Sequence, residues 1–192
     1  MDNTVGSLTQ EQKSIIIGSL LGDGYLRIIP GRKDAFLEVN HSIAEKGYVD
    51  WKYKALKNLV KSPPKARKGN GKRIAYRFFT RQHPEITNLY QEFYQDKEKI
   101  IPNLKLNPLI IAVWFMDDGS RSYQTYYLNT QSFNYQSQHR LIQTLRKQYG
   151  IESSLNRDKE YYRIRIKQSS AEKFKKLIQK HIFPKMEYKL EL

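Results

Sequence analysis

The chain has 192 residues, 39% of them hydrophobic, enough to bury a core in one domain or two small ones and too apolar for disorder throughout. Its 34 Lys and Arg against 19 Asp and Glu leave a formal net charge of +15; a polyanion is the natural partner, and nucleic acid fits better than a membrane surface because no basic amphipathic helix with a broad apolar face stands out. The absence of cysteine and the scatter of four histidines argue against disulfides and zinc and leave oxygen donors for any metal. No apolar run approaches a membrane span, and the opening MDNTVGSLTQEQ reads as neither a signal nor a transit peptide.

In chain order, Thr9-Gln10-Glu11-Gln12 has the form of a capping box and predicts a helix through Ile15 to Leu21 that closes near Gly22. YLRII and AFLEVNHS flank PGRKD as a hairpin. Tyr48, Trp51, Ala55, Leu56 and Leu59 at helical spacing predict a helix from about Ala44 to Val60. A second hairpin turns across Gly69-Asn70-Gly71, and HPEITNLYQEFY closes the first half as a helix. Asn107 as cap and Pro108 in the first turn open another helix running to about Asp117. The order then repeats: a strand near YYLNTQS, a helix from about Tyr135 to Tyr149, a hairpin from Ile151 to Lys167 turning near Asn156 to Lys159, and a helix from about Ser170 to Lys180.

Matching points recur at nearly the same offset, so one αββαββα unit is duplicated rather than a short solenoid repeated. The expected fold is α/β (α+β): two pseudo-symmetric halves with antiparallel sheets, residues 1–96 and 108–192, joined by a basic, proline-broken linker at 97–107.

Residues 16–24, IIGSLLGDG, and 111–119, IAVWFMDDG, are mostly apolar stretches that both end in Asp-Gly. Gly18 and Gly22 share one helix face and Ala112 is small, so the two helices could approach closely at a pseudo-twofold interface where their C-terminal ends meet. A carboxylate at a helix C-terminus opposes the helix dipole by about 0.3–1 kcal/mol, and two such carboxylates repel each other. A divalent cation held by Asp23 and Asp118 compensates, and Mg²⁺ is commonly bound by one or two carboxylates plus substrate phosphate.

The strands carry the binding pattern. In YYRIRIKQ, Arg163, Arg165 and Lys167 alternate with Tyr162, Ile164 and Ile166. In KRIAYRFFTR, Arg73, Arg77 and Arg81 share a face, and the first hairpin adds Arg27, Glu38 and Asn40. Rows of cations repel one another on a merely solvated face and gain from phosphates, so these faces are read as contacting double-stranded DNA. A two-stranded ribbon enters the major groove, where Arg reads guanine and Asn or Gln adenine.

These stretches resemble the LAGLIDADG homing endonucleases, in the single-chain, two-motif, intron-encoded branch. SPPK, IPNLK, WFMDDGS, LNTQSF and FPKMEYKL carry the likeness across nearly the whole chain, while the first motif departs from the family name at Ser19 and Gly22 and keeps its acid as Asp23. The resemblance implies four hairpins lining a DNA-binding saddle, Asp23 and Asp118 as the metal-binding catalytic acids, and the carbonyls of Gly22 and Asp117 as added ligands or near neighbours. It puts Lys99 and Lys189 where related enzymes carry active-site lysines, with Lys105 as the alternative in the first half, each otherwise a solvated surface residue. His41 and Gln131 are expected either to position water or to make structural hydrogen bonds.

By the same resemblance the activity is Mg²⁺- or Mn²⁺-dependent hydrolysis of both strands of a long, nearly asymmetric site, leaving staggered 3′ overhangs to initiate intron homing, by a monomer in a chloroplast, a mitochondrion or a prokaryotic cytoplasm. Two rivals stand beside it: an RNA maturase that assists group I intron splicing by binding intron RNA, and a non-catalytic DNA-binding protein. The two acids favour the nuclease.

Overall fold

The computed structural model describes residues 6–69 and 73–191. The chain divides into two units, residues up to Gln91 and residues from Glu92 onward.

In the first unit α1 (Gln10–Leu21) starts on the expected capping box. The Thr9 side chain accepts from the Gln12 amide at 3.2 Å, and the Gln12 side chain accepts from the Thr9 amide at 3.0 Å. β1 (Tyr25–Ile28) and β2 (Ala35–Ser42) form the first hairpin. The helix expected over 44–60 is shorter: α2 spans Lys46–Ala55, with 3₁₀ turns at Ile43–Glu45 and Lys57–Leu59. Tyr48, Leu56 and Leu59 are buried as the periodicity requires, but 3₁₀ turns bury the same side chains, so periodicity alone overruns the helix ends. β3 (Lys65–Lys68) and β4 (Ile74–Phe79) follow, and α3 (Pro84–Phe93) ends the set. Asn70 and Gly71 of the expected turn lie outside the described residues.

The second unit begins with a short hairpin, β5 (Tyr94–Gln95) and β6 (Glu98–Lys99), turning on Asp96 and Lys97 at φ 48° and 69°. The expected linker therefore starts inside this hairpin, and its remainder is tied along α5 (Tyr135–Tyr149). The Ile101 amide donates to Ser137, Arg140 donates to the Ile101 carbonyl, and the Tyr149 hydroxyl donates to the Leu106 carbonyl. Ile101 and Leu106 are buried, so this strap adds its own apolar surface to the core, which a basic, proline-broken composition conceals.

α4 (Pro108–Asp118) is capped by Asn107 and is buried at every position from Ile110 to Met116, as an all-round apolar helix requires. β7 (Gly119–Ser122) and β8 (Thr125–Leu128) form a hairpin where one strand was expected. GSRS has no β-branched or aromatic residue to announce a strand, and the turn rests on Tyr123 at φ 50°. β9 (Ser153–Asp158) and β10 (Tyr161–Ile166) turn at Lys159, after which come α6 (Gln168–Ile178) and a 3₁₀ segment at Pro184–Leu190.

The strand orders are β1-β2-β4-β3 and β7-β8-β10-β9, all antiparallel. The two units thus repeat one topology, as the sequence duplication predicted. Each sheet packs one face against its helices, with Leu37, Val39 and Phe78 in the first unit and Tyr126, Leu128, Ile164 and Ile166 in the second. The other face is open. No helix among the described residues is long and apolar enough to cross a membrane.

Glu85 of α3 closes the start of α1, accepting from Lys13 at 2.5 Å and from the Leu8 amide at 2.7 Å. The hydrogen bond from Lys13, then that from Leu8, holds its carboxyl below the ordinary value of 4.5. A depressed carboxyl stabilises the fold above its unfolded pKa and loses that contribution as pH falls through its folded pKa. Glu85→Gln is therefore expected to cost about 1 kcal/mol near neutral pH, with the gap between the two melting temperatures closing in acid, measured by thermal melts across pH.

Candidate nuclease site

Each candidate acid sits where a buried helix turns directly into a strand. Gly22 caps α1, Asp23 follows, and β1 begins one residue beyond Gly24. In the second unit Asp117 and Asp118 are the last residues of α4, and Gly119 is both cap and first residue of β7. The glycines are compulsory here. A Cβ on Gly24 would stand 2.6 Å from the Ser19 carbonyl oxygen, and one on Gly119 would run into the ring and carbonyl of Phe115. The Gly24 amide donates to the Ser19 carbonyl at 2.6 Å, and the Asp118 carbonyl accepts from the Asn129 amide at 2.9 Å. The first bond closes the end of α1 on the residue before β1, and the second ties the end of α4 to the residue after β8.

The surroundings of the two acids differ. His41, buried at the end of β2, sets Nδ1 3.5 Å from the half-exposed carboxylate of Asp23 and packs edge-on against Tyr48. The pairing registers place Tyr25 opposite Glu38 and Ser120 opposite Tyr127. With Gly24 matched to Gly119, His41 corresponds to Thr130, a buried residue whose hydroxyl has no partner among the described residues. Gln131, one position further, donates to Asp158 at 2.8 Å, a bond within the second unit's own sheet region.

Lys189 reaches the acid-bearing end of α4: its ammonium donates to the Met116 carbonyl at 2.7 Å. That reach depends on its segment being fixed. The buried Tyr126 hydroxyl donates to the Leu190 carbonyl at 2.9 Å, and Arg121 donates to the Glu191 carbonyl at 2.7 Å. Burial pushes the Tyr126 phenol up to about 12, so it remains a donor through the neutral range. Lys99, on β6, sets its ammonium 5.9 Å above the Phe133 ring. Lys105 is an exposed residue of the strap.

Among the described residues no three acidic or histidine side chains gather into a metal cluster. What each unit offers is a carboxylate at a helix end, Asp23 in the first and Asp118 beside Asp117 in the second, with neighbouring carbonyl oxygens. That donor set fits a hard divalent ion that keeps several waters and takes its remaining ligands from substrate phosphate, and it does not fit a closed protein cage.

The open faces carry the basic rows. On the first sheet Asn40, Arg77 and Lys65 lie opposite one another across β2, β4 and β3. Glu38 sits between Arg27, at 3.2 Å, and Arg77, at 3.6 Å. A concave groove of about 1250 Å³ opens here, lined by Arg27, Phe36, Lys65, Arg67, Arg77 and Phe79. Arg73 and Arg81 flank β4 and are exposed. On the second sheet Arg163 lies over the Tyr127 ring at 4.0 Å and reaches Asn129 at 3.4 Å. Arg165 is exposed on β10, and Lys167 is exposed just past its end, at the cap of α6. Lys65, Arg67 and Tyr127 are the groups that sequence reasoning missed. The first two were legible in the alternation of KARK, whereas Tyr127 has no sequence mark because all four positions of TYYL are buried and no alternation sets it apart.

A duplicated α/β chain with an acid at each glycine-limited helix end and basic sheet faces is the pattern of a DNA nuclease built on two repeats. The sequence profile of the LAGLIDADG DNA endonuclease family matches residues 13–174, and the chain belongs to that family. It is 30% identical over 200 residues to probable intron-encoded endonuclease 1 of Wickerhamomyces canadensis, covering 96% of this chain and 85% of that one. It is 29% identical to cytochrome b mRNA maturase bI2 of Saccharomyces cerevisiae, covering 99% of this chain but only 49% of the maturase, so it spans about half of that relative. Its fold matches the homing endonuclease I-WcaI bound to its DNA recognition sequence with a TM-score of 0.90 and 28% identity, over 98% of this chain and 89% of that one. A complex of I-DmoI with nicked target DNA in the presence of Mn²⁺ matches at TM-score 0.60 and 14% identity, which shows the shared fold alone.

The packing at the acid-bearing junctions gives a direct test. Gly119→Ala, which forces Phe115 or the helix end to move, is expected to lower stability by about 1–3 kcal/mol, and Gly24→Ala to behave alike because the obstacle is Ser19 backbone. Thermal or urea unfolding of the two variants measures it; unchanged midpoints would show that the junctions yield.

Proposed function

We propose that this chain is a sequence-specific double-strand DNA homing endonuclease that hydrolyses phosphodiester bonds with Mg²⁺ or Mn²⁺, leaves staggered 3′ overhangs and initiates homing of the intron that encodes it. The observation that carries this reading is the carboxylate fixed at the glycine-limited end of a buried helix in each of two units of one topology. It is supported by whole-length likeness to a homing endonuclease bound to its recognition DNA.

Asp23 and Asp118 hold the ions, one acid from each half, with carbonyl oxygens at Gly22 and Asp117 as further donors or near neighbours. A bound divalent ion supplies activation of water and stabilisation of the leaving oxygen. Lys189 brings a positive charge to the Asp118 end of α4, and Lys99, on β6 of the second unit, is the other candidate lysine. His41 orients the Asp23 carboxylate or its water, and Gln131 buttresses the second sheet through Asp158. Arg27, Glu38, Asn40, Arg73, Arg77 and Arg81 contact one half of the DNA site, and Arg163, Arg165 and Lys167 the other. The open faces differ in side chains, so the target is long and nearly asymmetric. Both halves lie in one chain, which acts as a monomer in an organelle or a prokaryotic cytoplasm.

The maturase relative supports a second reading, in which the chain binds group I intron RNA and assists splicing. Such a role uses the basic faces and leaves the acids idle.

Selection of cleaved molecules from a randomised DNA pool tests the function. With Mg²⁺ the chain is expected to enrich one site, and Asp118→Asn to reduce cleavage by about a hundredfold or more, since the ion it holds contributes several kcal/mol, while binding persists. Cleavage undiminished in Asp118→Asn sinks the assignment of the acid. Absence of cutting in every pool, with tight binding to a structured intron RNA, establishes the maturase reading instead.

A further inference from the structure

The cations on the open faces are not equivalent. Arg73, Arg81, Arg165 and Lys167 are exposed, and a long side chain standing in solvent meets a phosphate as a point charge without fixing an angle. Arg77 and Arg163 are different. They occupy the same place in the two sheets: β2 to β4 pairing sets Glu38 opposite Phe79 and Asn40 opposite Arg77, and β8 to β10 pairing sets Tyr127 opposite Arg165. With Glu38 matched to Tyr127, Arg77 matches Arg163 and Asn40 matches Asn129.

Each of these two arginines is held from two sides, and by different physics. One Glu38 oxygen takes Arg77 at 3.6 Å while the other takes the more exposed Arg27 at 3.2 Å, and the Phe79 ring lies 5.4 Å from the Arg77 guanidinium. Tyr127 takes Arg163 by its ring face at 4.0 Å, and Asn129 accepts from it at 3.4 Å. In both, Nε is buried and has no hydrogen-bond partner among the described residues, so the stem is enclosed and only the terminal nitrogens are available to a ligand. A guanidinium held in one plane can meet the two acceptors on the major-groove edge of guanine as a pair, whereas a mobile one meets them one at a time. Preorganisation of this kind raises discrimination more than charge does.

We propose that Arg77 and Arg163 are the specificity-determining residues of the two half-sites, each reading guanine, and that Glu38 and Tyr127 are the positioning residues that make them selective. The exposed cations supply affinity without sequence. This inference rests on the endonuclease reading above. It divides the basic rows into two classes that the alternation pattern treats as one.

The experiment is base-by-base cleavage and binding profiling on the site selected by the unaltered chain, with single-pair substitutions throughout. Glu38→Gln and Arg77→Lys, which keep size or charge, are each expected to lower the preference for the favoured pair by about tenfold over one short stretch of the site. Tyr127→Ala and Arg163→Lys are expected to do so over a second stretch that does not overlap the first. Tyr127→Phe retains the ring and is expected to restore the preference that Tyr127→Ala loses. Arg81→Gln and Arg165→Gln are expected to weaken binding to all sites alike and to flatten its salt dependence. The inference is overturned if Glu38→Gln or Tyr127→Ala leaves the profile intact, if Tyr127→Phe behaves as Tyr127→Ala, or if the exposed cations shift the profile as much as the clamped ones. Failure of the unaltered chain to select any DNA overturns the endonuclease reading and this inference with it, whereas selection with an unmoved profile overturns this inference alone.

Discussion

The junction between buried helix and first strand is the constraint on which the rest of each unit depends. α4 is enclosed along Ile110 to Met116, so its C-terminal carbonyls have little water to turn to. The Phe115 carbonyl accepts from the Gly119 amide, the Met116 carbonyl accepts from Lys189, and the Asp118 carbonyl accepts from Asn129. Those bonds need the chain to leave the helix without a Cβ in the way, which only glycine permits. The same geometry pushes an aspartate to the negative end of the helix, an arrangement that stability alone would discourage. On the proposed reading, function accounts for the conflict between local preference and position.

Given that junction, the sheet register follows, and with it the position of every side chain on the open face. Moving a strand by one residue would send Arg77 into the core and Phe78 into solvent, so apolar burial beneath the sheet fixes which groups point outward. The duplicated topology makes the two faces comparable position by position. Their contents have diverged: a carboxylate at Glu38 stands where the other face has an aromatic ring at Tyr127, and His41 stands where the other has Thr130. The framework is repeated while the chemistry placed on it is not.

Much of this was legible in the chain. The capping box at Thr9, the Asn107-Pro108 start and the alternation of RIRIK each have a local physical cause, and each names its element without reference to distant residues. The duplication gave the topology because two weak readings of one order support each other. What escaped detection depends on pairing and packing partners that the residues themselves do not mark. β7 is a strand because β8 pairs with it, the 97–107 segment is ordered because α5 binds it, and α2 stops short although its burial pattern continues. For the site, the acids, Lys189 and the arginines were visible as residue types at positions, and His41 stood at a strand end. The clamps on Arg77 and Arg163 were not visible, because a salt bridge or a ring contact across strands depends on register rather than spacing.

The lysine that reaches α4 is delivered by the segment following α6, after every strand of its unit. Tyr126 and Arg121, both from the β7–β8 hairpin, bind the carbonyls of Leu190 and Glu191 and so capture that segment once the sheet exists. A chain ending just after α6 would contain the acid, its glycine and the complete sheet, and would lack the ammonium at Met116. During synthesis the basic open face of this unit is therefore encoded before the ammonium at its helix end, and on the proposed reading the order of the sequence separates the means of holding a polyanion from part of the means of acting on it.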